Sequence, residues 1–134
     1  MSGVFAGMPT PLKLFIASLL VTVCLLPGTA VAAASQHSCR SADLRYPFQQ
    51  GGPRIFGVFG LRIAHGPCTT AHGVAQAWMS KFETAFRKQG PLVVPRSVDG
   101  FRFTTLPAHD AQEFRERGQM GNTTIWFDYR IPNG

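Results

Sequence analysis

Four histidines, three cysteines and seven carboxylates are the side chains of this chain best suited to acid–base, metal or covalent chemistry. Their spacing decides whether they can act together. His65 and His72 stand seven apart, His37 lies far upstream, and His109 is followed directly by Asp110. A zinc centre needs three or four converging ligands. None of these spacings matches a ligand pattern such as two histidines four apart on one helix. Nucleophilic catalysis needs an activated serine or cysteine with a base beside it, and the chain has no Gly-x-Ser-x-Gly turn. Paired carboxylates can hydrolyse a glycosidic bond, but the few acids here fall mostly where solvent is expected to reach them. Gly51-Gly52-Pro53 is a turn and not a phosphate loop, because proline lacks the N–H that such a loop would use. The expectation is therefore no catalytic residue, no metal and no cofactor.

The cysteines carry more information. Leu14 to Leu26 is an apolar run without a charge, preceded by Lys13 and followed by Pro27-Gly28 and the small residues Ala30-Val31-Ala32. This is the pattern of a secretory signal peptide. The run falls short of the roughly 20 apolar residues that cross a bilayer, so a retained anchor is the second reading. Residues 1–32 are read as the signal, with cleavage at Ala32/Ala33 or at Ala34/Ser35, and translation starts at Met1 or at Met8. No membrane span remains after processing. Cleavage also removes Cys24 and leaves Cys39 and Cys68. In an oxidising compartment an even count reads as a disulfide, and two buried thiols are the other reading. The closed loop of about 30 residues would contribute roughly 3.5 kcal/mol on the chain-entropy model.

The formal net charge is +6, and ten of the thirteen basic residues are arginine. A basic balance suits nucleic acid, anionic lipid or anionic glycan. Export argues against nucleic acid. It leaves an anionic envelope polymer, a glycan or a lipid headgroup as the partner class.

The elements that must carry these residues can be read from periodicity. Residues 33–53 begin small and polar, as a flexible leader holding Cys39, and end in turn chemistry at Pro47 and Gly51-Gly52-Pro53. One folded domain is expected over 54–134. Ile55 to His65 reads as a strand in which Phe59, Leu61 and Ile63 alternate with Gly60, Arg62 and Ala64. Gly57 and Gly60 suggest a bulge within it. Thr69 or Thr70 can cap a helix. Ala71, Val74, Ala75, Trp78, Met79, Phe82, Ala85 and Phe86 then follow at helical spacing as one apolar stripe, until Gly90-Pro91 ends it. Val98 to Thr105 alternates as a strand, and Ile125, Phe127, Tyr129 and Ile131 mark the last one. Between them, Asp110 and Glu113 look like a capping box for a helix over Ala111 to Arg117. The hairpin-like Gly118 to Asn122 argues for a strand instead, and the strand is favoured. The fold class is α+β, one long amphipathic helix packed on a small antiparallel sheet.

Period two then sorts the sheet into two faces. The helix covers Phe101, Phe103, Phe127 and Tyr129. Arg102, Arg115, Arg117, Trp126 and Arg130 are left on the other side. Arginines around a tryptophan can bind an anion through charge and stacking. The competing reading is a solvated sheet face whose arginine stems shield Trp126.

A further pattern runs from Ile55 to the C-terminus. Ile63-Ala64-His65-Gly66-Pro67-Cys68 leads into Ala71, Val74-Ala75 and Trp78, with Gly100-Phe101-Arg102 later. This resembles small exported proteins of actinobacteria, in which a strand ends in a cysteine that opens the helix. The resemblance implies a compact exported α+β domain and brings no activity with it. In that pattern a second cysteine follows the Gly-Phe-Arg and pairs with another in the next strand. Here Phe103 stands at the first position and Glu116 or a neighbour at the second. The resemblance therefore implies a lost disulfide whose place is taken by the packing of Phe103.

The function expected from these residues is a secreted, non-catalytic binding module at the cell envelope. A small exported hydrolase is the alternative, and a concave pocket gathering two or more of His65, His72, His109 and Asp110 would favour it. A third reading is an inhibitor of a secreted protein, with Leu92 to Arg96 as its exposed loop.

Overall fold

The computed structural model describes residues 35–88 and 91–132, all within one unit, Ala32–Gly134. The signal segment, Cys24 and the choice between Met1 and Met8 lie outside the described residues. The elements are β1 (Gln36–Ser38), a short 3-10 turn (Ala42–Leu44), β2 (Arg45–Pro47), β3 (Arg54–Ala64), α1 (Cys68–Arg87), β4 (Ser97–Val98), β5 (Phe101–Leu106), β6 (Glu113–Met120) and β7 (Thr123–Arg130). They make the α+β fold expected, one helix on one antiparallel sheet.

The sheet runs β1-β3-β7-β6-β5-β4, with β2 also pairing β3. Two tight turns set its register. Asp99 and Gly100, both at positive φ, join β4 to β5. Gly121, at φ +59, and Asn122 join β6 to β7. Such two-residue turns match the twist of the strands they connect. The stretch from Val98 to Thr105, expected as one strand, is thus broken at its second residue into a hairpin. Residues Ala111 to Arg117 take the strand reading from Glu113 onward. Asp110 caps a turn instead of a helix, its Oδ1 accepting from the Gln112 N–H at 3.1 Å.

Helix α1 has 20 residues, about 30 Å at 1.5 Å each. Five strand spacings of about 4.8 Å come to about 24 Å, so the helix is long enough to lie over the sheet. Its N-cap is Pro67, without a side-chain cap, and neither Thr69 nor Thr70 serves as expected. Trp78 is fully buried and stacks on Phe82 at 5.2 Å, with Phe127 and Tyr129 edge-on at 5.3 Å each. Its Nε1 donates to the Pro95 carbonyl at 3.2 Å. Phe86, counted in the apolar stripe, is 53% exposed and lies beyond this core.

The polar stretch before residue 54 is part of the sheet. β1 and β2 both pair with β3, and Ser41 and Leu44 are buried. Cys39 and Cys68 are joined in a disulfide, with Cα atoms 5.4 Å apart. Gly57, at φ +98, permits the tightest crossing, since a Cβ there would meet the Leu44 carbonyl oxygen at 2.1 Å.

β3 holds the main departure from simple alternation. Phe59 pairs with Asp128 and Arg62 with Trp126, so three steps on β3 answer two on β7. The extra residue is a bulge at Gly60, which has φ +58. Before it Val58 faces the core; after it Leu61 and Ile63 do. Phe59 is thereby turned away from Leu61 and Ile63, and joins Arg62 on the face opposite the helix.

Candidate functional site: the open face of the sheet

Cross-strand rows build the open face. One row holds Arg45, Gly57, Arg130 and Glu113. The next holds Phe59, Asp128, Arg115 and Leu106. A third holds Arg62, Trp126, Arg117 and Thr104, and the last ends in Thr124, Gln119 and Arg102. Arg102, Arg115, Arg117, Trp126 and Arg130 all fall on this face, as period two requires. They are not equivalent.

Arg102, Arg117 and Arg130 are exposed. Arg115 is two-thirds covered, and its Nε donates to Asp128 Oδ1 at 3.0 Å. That carboxylate holds the guanidinium charged even more firmly than usual, so Arg115 is already partnered. Trp126 is half-buried, and the Arg62 guanidinium lies 6.0 Å from its ring. Arg117 is its direct cross-strand neighbour on the other side. Arginine stems do shelter this tryptophan.

Three participants were hidden from sequence reasoning. The Phe59 ring has the Arg45 guanidinium at 4.3 Å and the Arg130 guanidinium at 4.4 Å from its centroid, one from each neighbouring strand. Arg45 is held in place by two acceptors, with Nε donating to the Val58 carbonyl at 3.0 Å and a terminal nitrogen to the Ser41 hydroxyl Oγ at 3.3 Å. Arg62 completes the set. Its alternation with Leu61 was visible, but its place beside Trp126 depends on the bulge. Arg45 lies in the stretch read as a leader. The face thus carries six arginines against Asp128 and Glu113. Guanidinium groups suit carboxylate, phosphate or sulfate, which they can grip with two parallel hydrogen bonds.

The groups with potential for acid–base chemistry fall into separate small sets. His72 Nε2 lies 2.6 Å from Asp43 Oδ2, which holds the Asp43 carboxyl below its usual range. His65, at φ 56, offers its carbonyl to Thr123 Oγ1 at 2.8 Å. His37 has its ring near Cys39 and Cys68, whose sulfurs are bonded to each other and so are not thiolate ligands. A cleft of about 310 Å³ lies between the end of α1, Tyr46 and Tyr129. Tyr129 donates to Glu83 Oε1 at 2.7 Å, and its oxygen lies 3.3 Å from that of Tyr46. Burial raises both phenols above their usual range and holds them protonated.

One acid contradicts the expectation of solvent contact. Glu116 is fully buried on the helix side of β6. Its Oε1 accepts from Thr105 Oγ1 at 2.8 Å, and its Oε2 has no partner among the described residues. Burial pushes its carboxyl up to about 7. In the next pair on the same face, Phe103 packs against Gly118, where a Cβ would come within 2.6 Å of the ring. Compared with protein-family models, with curated proteins and with solved structures, the chain matches none of them, and the reading of its open face rests on the geometry alone.

Proposed function

We propose that the protein is an exported, non-catalytic binding module that holds an anionic polymer of the cell envelope on its open sheet face. The observation that carries this reading is the arrangement of arginines around two aromatic rings. Arg45 and Arg130 bracket Phe59, and Arg62 and Arg117 flank Trp126. The helix leaves this side uncovered, and the acid inside the cluster, Asp128, is taken up by Arg115. Arg45 and Arg130 in one row, and Arg62 and Arg117 in another, each stand two strands apart, about 10 Å at ordinary strand spacing, and cations spread over the face in this way suit a polymer with repeated anionic groups better than a single small anion. The disulfide and the signal-like leader support export. The resemblance to exported actinobacterial proteins points the same way. Against catalysis stands the placing of His72 and Asp110 along different clefts, His72 beside Cys39 and Cys68 and Asp110 beside Phe56 and Arg130.

The test is retention of the full chain on immobilised polyphosphate and on a polyuronate. Elution is expected to move to lower salt in the double variant Arg62→Ala with Arg117→Ala, because exposed charge pairs are screened by salt. Elution of that variant at the same salt as the parent would sink the proposal.

A further inference from the structure

The outer edge of β5 is only half covered. β4 pairs with Phe101 and Arg102, and the Phe103 N–H donates to the Arg96 carbonyl at 2.9 Å. Pro95 then turns away, since it has no N–H to give a ladder and its carbonyl is taken by Trp78 Nε1. Alternation along β5 points the backbone groups of Thr105 outward, as it does those of Phe103. Among the described residues no strand meets that edge beyond Phe103. A groove of about 720 Å³ opens there, between Leu92, Val93, Val94 and Pro95 on one side and Phe103 to Thr105 on the other. Leu92 is 46% and Val93 56% exposed.

From this we infer a second binding site, which takes an extended peptide with alternating apolar and acidic residues as an added strand beside β5. An unpaired strand edge recognises polypeptide because it offers backbone donors and acceptors at strand spacing. Period two fixes what the guest must carry. The guest residue opposite Thr105 falls on the helix side, into the groove walled by Leu92 to Pro95, because the place opposite Phe103 is taken by Arg96. Its neighbours along the guest fall on the open face, the one beside Thr104 lying one strand from Arg117 and two residues along β5 from Arg102. Arg96 is the charged side chain lining the groove. The complement is therefore apolar on one side and acidic on the other. This site goes beyond the polyanion reading and uses a different chemistry, main-chain pairing.

The experiment uses the full chain and a short synthetic peptide alternating valine and glutamate. Binding is followed by fluorescence anisotropy, and amide exchange is read at Thr105. The Thr105 amide is expected to become protected. N-methylation of the peptide at the residues that pair with β5 is expected to weaken binding about tenfold or more, the loss of one or two hydrogen bonds. Val93→Asp, an exposed position outside the sheet, is expected to weaken the peptide similarly and leave elution from polyphosphate unchanged. Equal binding of methylated and unmethylated peptides overturns the site, as does a Thr105 amide that exchanges equally fast with and without peptide. Absence of binding overturns it as well. Peptide binding in a chain that polyphosphate fails to retain would keep this site and remove the polyanion reading.

Discussion

Glu116 is the residue whose environment most disagrees with its chemistry. It sits fully buried between Thr105 and Phe127 in the cross-strand ladder, with one hydrogen bond and an orphan oxygen. Burial raises its carboxyl from 4.5 to about 7. A raised acid favours the folded state while it is protonated. The folded chain then holds a proton that the unfolded chain releases, so stability falls as pH rises from about 4.5 towards 7 and levels beyond. The span corresponds to roughly 3 kcal/mol. Urea unfolding across that range is expected to show the decline, and Glu116→Gln is expected to flatten it. A decline of equal size in the variant would place the proton elsewhere. The strand pattern that puts Arg115 and Arg117 on the open face already turns Glu116 inward, but the acids were read as solvated because an unpaired carboxylate is seldom fully buried. Arg115 and Arg117 face outward, and their alternation is what forces Glu116 inward.

At the scale of elements, the disulfide and the bulge do different work. Cys39 and Cys68 tie the short edge strand β1 to the first residue of α1. The loop they close spans 29 residues of sequence separation. Removing it with Cys39→Ala and Cys68→Ala is expected to cost about 3.5 kcal/mol, read as a lower denaturant midpoint, since most of the gain is lost freedom of the unfolded chain. A change below about 1 kcal/mol would mean that β1 is held by its pairing with β3 alone. The bulge at Gly60 explains which parts of the face were legible. The hairpin strands β5, β6 and β7 keep an unbroken register. Period two therefore placed Arg102, Arg115, Arg117, Trp126 and Arg130 correctly from the chain alone. β3 changes parity midway, so its Phe59 was grouped with Leu61 and Ile63, from which it turns away, and Arg62 was never joined to Trp126. β1 and β2 have three residues each and β1 is exposed throughout, too short and too polar for any periodicity to announce them. The helix was legible through its 3.6-residue stripe, except at Phe86, where the stripe outruns the sheet beneath it.

For the whole molecule, the question is whether its net charge or its distribution of charge selects a partner. A net charge of +6 would attract any polyanion weakly at low salt, whatever the positions of the arginines. The fold instead gathers six arginines on the side that the helix leaves bare. Arg87 and Lys88 lie at the helix end, where Arg87 is 79% exposed and pairs loosely with Glu83 at 3.5 Å. Two charge reversals of equal size separate the possibilities. Arg102→Glu with Arg117→Glu changes exposed side chains of the open face, and Arg87→Glu with Lys88→Glu changes exposed ones of the helix end. All four lie outside the core, so each pair is expected to leave unfolding within about 1 kcal/mol of the parent. If the face recognises the polymer, the first pair loses retention on polyphosphate at physiological salt and the second keeps most of it. If net charge alone is at work, the two pairs elute together. The screening length of about 8 Å at that salt is what makes the comparison decisive, because charges at the helix end and on the open face are then felt by a bound polymer as separate surfaces.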